Sequence, residues 1–239
     1  MNKPKAIFNW SGGKDSSLAL FKVIKEQAFD VKYLLTSVNA QNNRISMHGV
    51  RSELLDAQAA SIGLPLHKMM IPEMPSMEIY NRVVSETMEA FKKEGIEYSI
   101  FGDIFLEDLK KYREEQLDKI GMKASFPIWK QPSAQLINEF IDLGFKAVIV
   151  CVNEKYLNES FAGRLLDRSF VNDLPANVDP CGENGEYHSF VFDGPLFSKP
   201  VGFSIGETVY RQYNKLPDDN SADQPGYDTG FYYCDLLPV

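Results

Sequence analysis

The chain has 239 residues, 44% of them hydrophobic, and a formal charge of −8. That is enough apolar content for one large core or two modest ones, and the acidic balance argues against a broad electrostatic grip on nucleic acid. No apolar run approaches a membrane span, and the N-terminus lacks a signal-peptide pattern. Cys151, Cys181 and Cys234 stand apart with no C-x-x-C, which suits reduced thiols in a cytoplasmic protein better than a disulfide framework or a structural zinc site. A homodimer is compatible with this composition.

The first predicted element is an apolar strand, Lys5 to Trp10, and the spacing of Leu20, Val23 and Ile24 predicts a helix after it. The loop between them, Ser11 to Ser17, sits where a helix N-terminus offers free N–H groups and positive potential to an anion, and Gly12 and Gly13 let the backbone come close. It is not a Walker A loop, because Phe8 stands where the first glycine belongs and Asp15 where Ser or Thr must follow the lysine. No third glycine completes a dinucleotide fingerprint. Ser11-Gly12-Gly13-Lys14-Asp15-Ser16 resembles instead the SGGxDS signature of the PP-loop ATP pyrophosphatases, which cleave ATP between the α and β phosphates. The alternative is a glycine turn capped by Ser11 or Asp15.

Further along, strands are predicted at Val31–Val38, Leu66–Ile71 and Tyr98–Ile104, alternating with helices at Val50–Ile62 and Ile79–Phe91. Nearly continuous apolar strands in β-α units imply an α/β fold, a parallel sheet with helices on both faces. After Gly121 the texture changes with "FPIWKQPSAQL" and a helix start at Ser133. We therefore expect a phosphate-loop domain over 1–124 and a smaller α+β domain over 125–239, which the family resemblance given below makes the acceptor-binding domain.

Several side chains are candidates for the site. Arg51, beside His48 and Gly49 at the start of the second helix, can meet a phosphate or hold an acidic neighbour. Gly102 permits close approach at the end of a strand, where Asp103 can orient a ligand or metal, or cap the next helix. Arg113 lies four residues from both Leu109 and Leu117, on an apolar face where it needs an anion, either a carboxylate or a phosphate. In "VDPCGENGEYHSFVFDGPLF", Glu183 and Glu186 with His188 are ingredients for acid–base work, metal binding or recognition of a cation, or simply a solvated acidic loop before a strand from Tyr187 to Phe192.

The segments "SGGKDSSLAL", "HGVRSELLDAQAASIGLPL", "FGDIFLEDLKKYREEQLDKIGMKASFPIW" and "GENGEYHSFVFDGPLF" together resemble the diphthine–ammonia ligase family along nearly the whole chain. The resemblance implies an adenine-nucleotide α-hydrolase-like, HUP-type domain that holds ATP through Ser11, Gly12, Gly13, Lys14, Asp15, Ser16 and Ser17, assisted by Arg51, Gly102, Asp103 and Arg113. It implies Mg2+ at Asp15, catalytic roles for Lys14, Asp15, Glu183 and Glu186, and an acceptor site of Glu183, Asn184, Glu186 and His188. The implied reaction turns a small or protein-borne carboxylate into an acyl-adenylate and then, with ammonia, into an amide. Competing readings are a tRNA-modifying PP-loop enzyme and an adenine-nucleotide-binding protein without turnover. One departure stands out: diphthamide-forming members usually read E-G-G-E-Y/F-E-S/T, where this chain has Asn184 and His188. A cationic His188 would repel the trimethylammonium group of diphthine, so we expect the protein to form an adenylate but not to amidate diphthine.

Overall fold

A computed structural model describes residues 3–45, 48–72, 75–213 and 229–239. Strand β1 (Lys5–Asn9) buries Ala6, Ile7 and Phe8 completely and is the centre of a five-stranded sheet. With β2 (Asp30–Asn39), β3 (Leu66–Ile71), β4 (Tyr98–Ile100) and β5 (Lys123–Ser125) the order is β3-β2-β1-β4-β5, and every pairing is parallel.

Alternation along these strands splits the core between two faces. Ala6, Phe8 and Leu34 pack with residues of helices α1 (Lys14–Glu26) and α2 (Ser52–Ile62). Ile7, Leu35 and Met69 pack with Met88, Phe91 and Leu117 of α3 (Met77–Lys93) and α4 (Glu107–Asp118). Helices thus cover both faces, as the apolar strands imply. Because β2 lies on one side of β1 and β4 on the other, the loop after β1 opens at the point where the sheet reverses its winding, the usual ligand position.

The strand expected to run to Ile104 ends at Ile100. Phe101 donates a last N–H to Ser125 O, but the Ile104 N–H goes to the Glu183 carboxylate at 2.7 Å, so the chain has left the sheet by then.

Beyond α5 (Ser133–Asp142), strands β6 (Lys146–Asn153), β7 (Tyr187–Asp193), β8 (Phe203–Tyr213) and β9 (Thr229–Pro238) form an antiparallel sheet of order β7-β6-β9-β8, with the short helix α6 (Arg168–Asn172) between β6 and β7. The two sheets share a core, since Phe8, Leu20 and Leu55 belong to one buried cluster with Phe140, Val148 and Phe190. Beside that core, a polar contact ties the second sheet to the loop after β1. Val191 N donates to Gly12 O at 2.9 Å, and buried Gln58 Nε2 donates to both Gly12 O at 3.0 Å and Val191 O at 2.6 Å. A Cβ on Gly12, which has φ +77°, would stand 2.7 Å from Gln58 Oε1, so this glycine makes room for the α2 amide that bridges the loop and β7.

Candidate active site

The loop after β1 enters α1 through Gly13, an extended N-cap whose side-chain position supplies no hydrogen bond. The capping alternative for Ser11 and Asp15 is therefore not realised. Ser189 of β7 takes that place from a distance, its Oγ accepting from Lys14 N at 3.1 Å. The Ser16 and Ser17 hydroxyls both donate to Gly13 O at 2.9 Å and rigidify the first turn. Ser17 is fully buried, and neither it nor Gly12 lines the cavity beside the loop, so both support the loop from behind; Ser11, Gly13, Lys14, Asp15 and Ser16 face the cavity.

That cavity has a volume of about 770 Å³ and lies between the loop, the ends of β1, β2 and β4, helices α3 and α4, and the segment Gly182–Ser189. It falls within the size range of small-molecule sites. Lys14 is only 4% exposed; its ammonium pairs with Asp15 at 2.8 Å and lies 4.9 Å from the centre of the Tyr187 ring. Burial works against that charge, but Asp15 and other neighbours outweigh it and raise the Lys14 pKa, so the lysine is a fixed cation. Burial raises the Asp15 carboxyl above its ordinary value, opposed by Lys14.

Among the described residues no group of three or more His, Cys, Asp or Glu is placed to hold a metal ion. Asp15 as a single hard-oxygen donor beside an anion loop fits a magnesium ion held chiefly by nucleotide phosphates.

The two glutamates of the second loop part company. Glu183 lines the cavity; burial, with Asp15 nearby, pushes its carboxyl up to about 7, while the N–H of Ile104 holds one of its oxygens. Glu186 is 1% exposed and does not line the cavity. Its carboxylate accepts from Asp179 N at 3.0 Å, Asn184 N at 2.9 Å and Asn184 Nδ2 at 3.0 Å. The expected catalytic and acceptor-contacting role of Glu186 is thus corrected: its oxygens close the loop that presents Glu183. Asn184 lines the cavity with its side-chain amide turned to that carboxylate.

Arg51 takes the acidic-neighbour alternative. It pairs with Asp235 of β9 at 2.7 Å, beside Arg44 at 2.8 Å, and does not line the cavity, which corrects its expected place among the ATP contacts. Burial would raise the Asp235 carboxyl, but the two guanidinium groups overcome this and hold it at about 2. Arg113 finds its carboxylate in Asp103, Nε to Oδ2 at 2.8 Å, with its guanidinium 4.3 Å from the Phe101 ring centre; both charged residues line the cavity. Asp103 is no helix cap, since α4 begins after Leu106. Gly102 also lines the cavity, but its closest approach is to backbone: a Cβ there would lie 3.1 Å from Ser16 N and Cα.

His188 lines the cavity and stacks on His48 with ring centres 4.6 Å apart. Burial, then the His48 and Lys14 charges, hold its pKa well below the ordinary value. The expected cationic repulsion of a trimethylammonium group therefore falls; the imidazole is neutral. Sequence reasoning missed Tyr187 beneath Lys14, Ser189 as the remote cap, and the cavity's α3–α4 wall. Only the alternation of the strand from Tyr187 carried a signal for the first two.

A parallel sheet presenting S-G-G-K-D-S at its switch point, with a buried lysine and a cavity beside it, defines an ATP-using PP-loop enzyme. Family models for the diphthamide synthase N-terminal and C-terminal domains match residues 4–124 and 132–216, and the chain belongs to that family. It is 25% identical to the diphthine–ammonia ligase of Rattus norvegicus, over 83% of this chain and 82% of that one. It is 26% identical to the protein of that name from Danio rerio, over 83% and 86% of the two chains. The fold also aligns with the U34-tRNA thiolase NcsA of Methanococcus maripaludis at a TM-score of 0.36 and 17% identity, covering 60% and 58% of the two chains.

Proposed function

We propose that the protein is an AMP-forming amide ligase: it adenylates a carboxylate with ATP and transfers the acyl group to ammonia, releasing AMP and pyrophosphate. The observation that carries this reading is the meeting in one cavity of a buried, permanently charged Lys14 at a helix N-terminus and a Glu183 carboxyl poised at about 7. A carboxylate oxygen attacks the α-phosphorus, the α–β bridging bond breaks, and the electron pair leaves with pyrophosphate. Lys14 and the backbone of Gly13 to Ser16 stabilise the charge that grows there. Bound magnesium would add Lewis-acid neutralisation of the same phosphates.

In the second half, ammonia attacks the acyl carbon and AMP departs. Ammonium is the form in neutral water, so a base must take its proton, and a carboxyl of pKa about 7 suits that task. Asp103 and Arg113 neutralise each other and shape the wall beside Phe101. The acceptor is a small or protein-borne carboxylate, and the relatives' name makes diphthine the first one to try. ATP–pyrophosphate exchange without ammonia tests the reading. Exchange that depends on one carboxylate, followed by amide formation once ammonia is added, is the expected result; exchange absent with diphthine-bearing elongation factor and a panel of small carboxylates would contradict it.

A further inference from the structure

The stacked pair His48–His188 is a residue combination that neither the loop signature nor the acidic loop accounts for. The rings lie 30° from parallel at 4.6 Å, and both line the cavity. His48 Nδ1 is 3.3 Å from the Ser189 carbonyl, so in the neutral ring it donates there, which fixes its tautomer and its orientation. A Cβ added to Gly13 would stand 3.0 Å from His48 Cε1, placing this ring directly against the phosphate loop. His188 rests on it, one residue before the Ser189 that caps α1. The Nε2 atom of His188 is buried and has no hydrogen-bond partner among the described residues. A buried polar nitrogen is costly to leave unpaired, so such an atom at a ligand cavity is expected to be completed by the ligand.

We infer that His188, held in place by His48, is a hydrogen-bond donor to a phosphoryl oxygen of the pyrophosphate leaving group. The charges around the pair agree with an anionic partner: Lys14 is a charged residue that acts on both rings. Burial lowers His48 to about 4 and holds His188 well below the ordinary imidazole value, so the pair offers a neutral N–H at neutral pH. Neutral donors suit a group that must bind the leaving phosphates and then let them go. A glutamate at position 188 would oppose the same ligand, which makes the sign of the effect diagnostic.

The inference uses the proposed reaction only for the choice of probe, so it is tested by binding and not by turnover. Calorimetric titration of the intact protein with sodium pyrophosphate and magnesium, and separately with AMP, is the experiment. Pyrophosphate affinity is expected to fall about tenfold in His188→Phe, to fall further in His188→Glu and to recover largely in His188→Gln, whose amide can donate; AMP affinity stays the same. In the unsubstituted protein, the Nε2 nitrogen resonance of His188 should shift on adding pyrophosphate and stay put on adding AMP. Unchanged pyrophosphate affinity in His188→Phe, or tighter binding in His188→Glu, would overturn the inference. If the variants fail to fold, a His188 nitrogen resonance that ignores pyrophosphate would overturn it as well. Loss of the ligase reading, with no AMP formed from any acceptor, would leave these binding results intact.

Discussion

The phosphate loop and the acidic loop line the same cavity but are built in opposite ways. In Ser11–Ser17 the charged side chains, Lys14 and Asp15, face the cavity, while the small residues behind them, Gly12 and Ser17, hold the backbone. In Gly182–His188 one of the two carboxylates faces inward to its own loop, and Glu183 alone is offered to the cavity. Identical carboxylates three residues apart are thus offered to the cavity in one case and turned to scaffolding in the other, decided by which N–H groups reach each of them.

Removing the cation should break the phosphate loop most severely. Lys14→Met, which keeps the packing on Tyr187, is expected to slow AMP formation by roughly two to three powers of ten, comparable to losing an oxyanion donor. Because Lys14 is buried and paired with Asp15, this variant should also melt at lower temperature. Steady-state rates and thermal unfolding of the same preparation check both.

Glu183→Gln should lower amide formation by about two powers of ten. Its pH profile is the sharper test. The carboxyl must be ionised to act as a base, so with its pKa near 7 the rate at fixed total ammonium should climb from pH 6 and level off above 7, and that inflection should vanish in the variant, whose rate follows free ammonia alone. An inflection near 7 that survives in Glu183→Gln would remove this residue as the base.

Glu186→Ala should instead appear in stability, leaving the Asp179 and Asn184 N–H groups without their buried acceptor at a cost of about 3 kcal/mol. Denaturant unfolding reads this directly, and activity should fall only as Glu183 loses its support. Smallest is Arg51→Ala. Its pair with Asp235 is partly exposed and Arg44 remains, so about 1 kcal/mol of stability or less is expected, with nucleotide affinity unchanged.

These contrasts follow the limits of what the sequence carries. The β1–loop–α1 unit was legible because its signals are contiguous: an apolar strand, paired glycines and a helical repeat. The parallel sheet was legible for the same reason. The early end of β4 was not, because the group that takes the Ile104 N–H lies 79 residues away in Glu183. Arg51 was ambiguous for a similar reason, its partner Asp235 being 184 residues distant. Glu186 differs, since its partners are close in sequence; a carboxylate bracketed by glycines in a loop signals self-closure as readily as catalysis. His188 was misjudged in charge because burial, which moves imidazole toward neutrality, has no local sequence signature.

The identity of the products tests the central claim most directly. With magnesium, ATP, ammonia and an active acceptor, chromatography of the nucleotides together with a phosphate assay should show AMP and pyrophosphate in equal amounts. ADP and orthophosphate as the products would contradict cleavage between the α and β phosphates, and with it the role assigned to Lys14 and the loop that carries it.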